Sequence, residues 1–140
     1  GRSLIAKAGV LLTSIEYIKE GNSKNFAIVD AAMNDLMRPS LYDAYHEIIN
    51  IISHNLDKKE YDIVGPVCET GDFFGKNRLL SIKNKDLLAI LDTGAYGMSM
   101  SSNYNTRPRS VEILVDNEKS HIIRERETFE HLISGESILP

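Results

Sequence analysis

What most limits the fold of this chain is its string of short β-branched and aromatic runs, each cut off by a turn cluster. Residues 10–19, Val10-Leu11-Leu12-Thr13-Ser14-Ile15-Glu16-Tyr17-Ile18-Lys19, are rich in strand formers and alternate toward their C-terminal end. They stop at Glu20-Gly21-Asn22-Ser23-Lys24-Asn25, and Phe26-Ala27-Ile28-Val29-Asp30 returns, which predicts an antiparallel hairpin. Residues 111–115 and 121–124 around Asp116-Asn117-Glu118 predict a second hairpin. Residues 61–67 and 86–92 read as further strands. Residues 45–52 fit helix or strand, with their isoleucines favouring strand. Little helix remains. Ser3 is placed to cap a short N-terminal turn, Pro39 disfavours helix at Arg38, and residues 128–133 read as a closing helix. Asn55-Leu56-Asp57-Lys58-Lys59-Glu60 reads as a polar surface loop. The expected class is mainly β, as a barrel or a sandwich.

Composition narrows the function classes. With 42% hydrophobic and 26% charged residues over 140 positions, the chain can bury a core, and no repeat or linker divides it. One domain is therefore expected, over residues 1–140. A net charge of −4, with no basic block, argues against nucleic acid as a partner. The apolar runs fall short of the ~20 residues of a membrane span. A single cysteine leaves no internal disulfide and fits a reducing compartment, so a cytoplasmic location is expected. Gly1 stands where an initiator methionine would, so the chain is expected to begin inside a larger protein.

That cysteine lies in Gly65-Pro66-Val67-Cys68-Glu69-Thr70-Gly71-Asp72, at the end of a predicted strand. A thiol and a carboxylate share a tight loop there, and its two glycines open backbone conformations closed to other residues. By composition alone, a buried structural cysteine beside an exposed glutamate is the simpler reading of Cys68 and Glu69. Arg2 and Arg38 can each clamp a carboxylate or phosphate through the guanidinium fork, or stand solvated at the surface. Tyr42 and Tyr96 read as core-edge or strand-end aromatics. There is no Gly-rich phosphate loop, and no Gly-x-Ser-x-Gly elbow. His46, His54, His121 and His131 lack metal-ligand spacing, so no metal site is expected.

Five motifs in order carry more than any one of them. They are Gly1-Arg2, Arg38-Pro39-Ser40-Leu41-Tyr42, the Cys68-Glu69 loop, Gly94-Ala95-Tyr96-Gly97 and Ser101-Ser102-Asn103-Tyr104-Asn105-Thr106-Arg107-Pro108-Arg109. Together they closely resemble the C-terminal part of the diaminopimelate decarboxylase family, pyridoxal-phosphate (PLP) enzymes of the alanine-racemase-like fold. The resemblance implies an N-terminal α/β barrel that holds PLP on a lysine as a Schiff base, followed by a C-terminal β domain. This chain would be the β domain with the last edge of the barrel. Its partners would be that barrel, a second subunit in a head-to-tail homodimer, and a small diamino diacid.

The resemblance also implies roles. Gly1 and Arg2 would lie at the cofactor phosphate, with Arg2 also touching substrate. Arg38 and Tyr42 would bind the distal carboxylate, Glu69 the distal ammonium, and Tyr96 would sit beside PLP and substrate. Cys68 would serve the partner's barrel as the general acid that protonates Cα after CO2 is lost, since an ordinary thiol, with a pKa of about 8.5, is mostly protonated at neutral pH. A lone chain of 140 residues cannot hold a barrel of about 250 residues, so by itself it is expected to be inactive. Alternatives are a related decarboxylase acting on ornithine, arginine or carboxynorspermidine, and a non-catalytic regulatory homologue.

Overall fold

The computed structural model describes residues 1–139. They form two compact units, one covering Gly1–Ser101 and the other beginning at Ser102. In the first, helix α1 (Arg2–Ile5) and a 3-10 turn (Ala6–Ala8) lead into strands β1 (Leu11–Lys19) and β2 (Phe26–Val29). Helix α2 (Arg38–Tyr42), β3 (Ile48–Asn50), β4 (Lys59–Val64), β5 (Phe73–Leu80) and β6 (Leu87–Ile90) follow. The strands make one six-stranded sheet in the order β3-β6-β1-β2-β4-β5. All pairings are antiparallel except β2 with β4, because α2 and β3 lie between those two strands in sequence.

Alternation along the strands points one face inward. Thr13 and Ile15 of β1 are buried, as are Ala27 and Val29 of β2. Between Ile15 and Tyr17 the register shifts, so the side-chain period of two slips by one residue. Ile18 therefore packs against the core, while Tyr17 stays exposed. Ile63, Phe74, Leu36, Leu88 and Ile90 complete a core from every long strand, each contributing about 1.5–3 kcal/mol by its burial.

The sheet curls until its two edge strands meet as a nearly closed barrel. Side chains rather than a strand ladder join them. Asn50 at the end of β3 donates to the Ser81 carbonyl beyond β5 at 2.8 Å, and the Arg78 guanidinium donates to the His46 carbonyl at 3.1 Å. Asp86 draws the neighbouring loop onto this seam by accepting from His54 at 2.7 Å, from the Lys83 N–H at 2.8 Å and from Asn50. Burial pushes the Asp86 carboxyl up, but those hydrogen bonds together outweigh it and hold the group below its ordinary value.

The second unit holds the hairpin β7 (Glu112–Asp116) and β8 (Lys119–Arg124), then helix α3 (Phe129–Leu132). Thr128 and His131 cap α3 reciprocally, with the Thr128 N–H donating to His131 Nδ1 at 2.9 Å. Glu127 ties the loop before β7 together. It accepts from the Arg109 N–H and guanidinium, each at 2.8 Å, and from the Asn103 amide at 2.6 Å.

Several sequence expectations need correction. Ser3 lies inside α1 and caps nothing; Gly1 is the capping position. Helix α2 forms although Pro39 follows Arg38, because the proline occupies the first turn, where its missing N–H has no helical partner to lose. The Cys68-Glu69 strand ends at Val64 rather than Val67, and Lys59 and Glu60 belong to it rather than to the loop before it. β5 was not anticipated, because Gly75 and the polar run Lys76-Asn77-Arg78 interrupt its apolar pattern.

Candidate functional site

The site begins where the chain does. α1 and its 3-10 turn fold back on the segment after β6: the Gly94 N–H donates to the Ala6 carbonyl at 3.0 Å, and the Thr93 N–H to the Gly9 carbonyl at 3.0 Å. The backbones touch. A Cβ on Gly9 would stand 2.4 Å from the Gly94 nitrogen, and one on Gly94 would stand 2.3 Å from the Ile5 carbonyl oxygen. Two positions after Gly94, Tyr96 has a left-handed backbone, φ 64, a conformation unusual for a residue with a bulky side chain.

α2 supplies the facing wall. Buried Pro39 seats its first turn, and Asp43, left-handed at φ 51, ends it. Arg38 then stands between two rings, 5.7 Å from the Tyr42 centroid and 5.5 Å from that of Tyr96. Arg2, Arg38, Tyr42, Tyr96 and Met100 line one pocket of about 400 Å³. A more polar pocket of about 210 Å³, bounded by Lys24, Asp62 and Asn77 among others, contains none of the residues singled out from the sequence.

Four sequence-predicted site residues, from three separate segments of the chain, thus meet at one place. Two guanidinium forks suit phosphate or carboxylate oxygens, and the phenol rings and Met100 offer apolar faces to a flat ligand. Gly1 precedes α1 next to this pocket in sequence but does not line it. Met100 was not foreseen; Met98 and Met100 both lie in one 3-10 turn, and nothing in the sequence separates them.

Cys68 and Glu69 do not line this pocket. Both are exposed, on a loop over residues 65–72. Exposure removes the reading of Cys68 as a buried structural thiol. The loop is closed by the Gly65 N–H donating to the Asp72 carbonyl at 3.0 Å and the Asp72 N–H donating to the Glu69 carbonyl at 3.1 Å. Its glycines are not needed for left-handed backbone, since no described glycine has a positive φ. Gly65 is needed for room: a Cβ there would stand 2.4 Å from each oxygen of the Asp72 carboxylate. Asp72 is the residue of this loop that sequence reasoning passed over, as part of a turn.

Three of the four histidines serve structure, and His121 is exposed on β8. His46 is buried and donates through Nδ1 to the Leu91 carbonyl at 2.8 Å, while His54 pairs with Asp86 and His131 caps α3. Among the described residues no helix is long and apolar enough to cross a membrane.

Comparison with known proteins places this arrangement. The family profile of the pyridoxal-dependent decarboxylase C-terminal sheet domain matches residues 4–94. Diaminopimelate decarboxylase of Pseudomonas aeruginosa is 55% identical over the whole chain, which covers 34% of that relative's length. The crystal structure of diaminopimelate decarboxylase from M. jannaschii superposes with a TM-score of 0.96 at 45% identity, covering 100% of this chain and 32% of that one. A second structure from that source, in complex with L-lysine, gives 0.94 at 46% identity with the same coverage. The chain spans about a third of the length of these relatives. With its curled sheet and its five motifs in order, the chain belongs to the pyridoxal-dependent decarboxylases, as their C-terminal sheet domain.

Proposed function

We propose that this chain is the C-terminal part of a diaminopimelate decarboxylase, which converts meso-2,6-diaminopimelate to L-lysine and CO2 in lysine biosynthesis. The observation that carries the reading is the meeting of Arg2, Arg38, Tyr42 and Tyr96 around one pocket, in a chain 55% identical along its whole length to an enzyme of that name. The L-lysine complex of the M. jannaschii relative agrees with a product of that shape.

The lining fits pyridoxal phosphate. Arg2, with Gly1 beside it, would hold the phosphate, and Tyr96 would face the ring; the lysine that would hold the cofactor belongs to an N-terminal barrel outside this chain. When bound, the cofactor supplies the electron sink that makes loss of CO2 feasible. This chain's residues do the rest. Arg38 holds the distal carboxylate with its fork, and stacking between Tyr42 and Tyr96 fixes the plane in which it does so. Arg2 contacts the substrate as well as the phosphate.

Cys68 and Glu69 act on a second site. They lie outside the lining of their own chain's arginine pocket, and the family resemblance implies that they complete the pocket of a partner subunit in a head-to-tail homodimer. There Glu69 pairs with the distal ammonium, and Cys68 delivers the proton to Cα. Ornithine has a distal ammonium for Glu69 but no distal carboxylate, so it would leave Arg38 unpaired, at a cost of about 1–3 kcal/mol, which sets the preference for a diamino diacid over ornithine. The reading places the enzyme in the cytoplasm, where an exposed thiol stays reduced.

The test is an assay of the full-length protein with meso-diaminopimelate, ornithine and carboxynorspermidine in parallel. L-Lysine from the first substrate, at a kcat/KM well above the others, is expected. Turnover of ornithine or carboxynorspermidine alone would replace this reading with the related decarboxylase.

A further inference from the structure

Asp72 is buried, only 4% exposed, yet it sits at the end of an exposed loop. Its carboxylate is shared between two segments. Oδ2 accepts the Val67 N–H at 2.6 Å, next to Cys68 in sequence. Oδ1 accepts the Met33 N–H at 2.7 Å, from the segment that leads into α2. A second tie lies alongside: the Ser40 hydroxyl, from within α2, donates to the Gly71 carbonyl. Gly71 also packs on this segment, since a Cβ there would touch Met33 and Ser40 at ordinary contact distances, 3.6 and 3.7 Å.

We propose that Asp72 is a positioning residue, which with Ser40 locks the Cys68-Glu69 loop to the helix carrying Arg38 and Tyr42. The idea rests on the functional reading above. Each oxygen of the carboxylate serves a different segment, so the thiol-bearing loop cannot shift without disturbing the approach to the arginine helix. Charge-assisted hydrogen bonds from two backbone amides suit this task, because they fix direction as well as distance. In a homodimer with shared sites, the same tie joins the half-site that holds one substrate molecule to the half-site that protonates another.

The experiment uses the full-length enzyme and three substitutions: Asp72→Asn, Ser40→Ala and, as a buried carboxylate elsewhere in the barrel, Asp62→Asn. Asp72→Asn turns one acceptor oxygen into an NH2 group that faces a backbone N–H. It is expected to lower kcat for meso-diaminopimelate about tenfold, the scale of one lost charged hydrogen bond, with KM nearly unchanged. The solvent deuterium isotope effect on kcat should rise as proton delivery becomes limiting, which a mere loss of folded enzyme would not cause. Hydrogen exchange should quicken in peptides holding Met33 and in peptides holding Val67 together. Ser40→Ala should act in the same direction but less strongly, and it decides the matter if Asp72→Asn does not fold.

An unchanged isotope effect overturns the proposal, as does exchange that quickens in only one of the two segments. Effects from Asp62→Asn as large as those from Asp72→Asn also overturn it, by pointing to general destabilisation. If the wild-type enzyme makes no lysine, the functional reading fails alone, and the exchange data still test the tie.

Discussion

Gly9 and Gly94 meet backbone to backbone, with no room for a side chain on either. A Cβ on Gly9 would stand 2.4 Å from the Gly94 nitrogen. The chain's first turn, which carries Arg2, and the turn that carries Tyr96 are thereby held together. Gly94→Ala is expected to cost about 1–3 kcal/mol, as inserted methyl groups do in close-packed places. Denaturant titration of the full-length protein measures it, and KM should rise with the loss because Tyr96 is displaced.

Arg38 carries the specificity prediction. Arg38→Ala in the full-length enzyme should raise KM for meso-diaminopimelate tenfold or more, since a hydrogen-bonded charge is worth about 1.5–3 kcal/mol. Arg38→Lys should recover little of this, because an ammonium offers neither the fork nor the stacking between Tyr42 and Tyr96. Steady-state kinetics on both variants decides. Equal KM values for wild type and Arg38→Ala would remove the distal-carboxylate role.

Cys68→Ala should leave cofactor binding intact, read from the absorbance of the bound pyridoxal group, while kcat falls about a hundredfold or more, the usual scale for a lost acid catalyst. Unchanged turnover would take the proton-donor role away from Cys68.

Glu127 gives a pH prediction. The Arg109 N–H, with further hydrogen bonds from Asn103 and the Arg109 guanidinium, lowers its carboxyl from the ordinary 4.5 to about 2. A lowered folded-state pKa means the folded form binds fewer protons than the unfolded one. The contribution is therefore complete above pH 4.5 and is lost as pH falls toward 2. Glu127→Gln should be less stable than wild type at neutral pH, and the two stability curves should converge across that window. Denaturant unfolding at a series of pH values, followed by circular dichroism, checks it.

The hairpin of the second unit leads to a different expectation. Ile113, Leu114, Val115, Ile122 and Ile123 are all more than half exposed, and a two-stranded ribbon is marginal in water without something to pack on. The isolated 140-residue chain should therefore self-associate, as light scattering would show. A clean monomer at high concentration would count against coverage of this hairpin by the rest of the enzyme.

How much of this was legible in the sequence depended on how local each cause was. Hairpins β1–β2 and β7–β8 could be read because alternation and turn clusters lie within a few residues of each other. α2 could not, because Pro39 reads as a breaker until its place in the first turn is known. The resemblance named the arginines and tyrosines, but only the fold shows Arg38 held between Tyr42 and Tyr96. Asp72 was hidden for a related reason: one partner of its carboxylate, Met33, lies 39 positions away. No spacing rule reaches that far.

The seam between β3 and β5 has a consequence of its own. A continuous strand ladder fixes the girth of a barrel at whole multiples of the strand spacing. Here Asn50 and Arg78 span the gap, so the girth follows the reach of two side chains. The cylinder is buckled rather than welded: two side chains, not a ladder, hold its last edge.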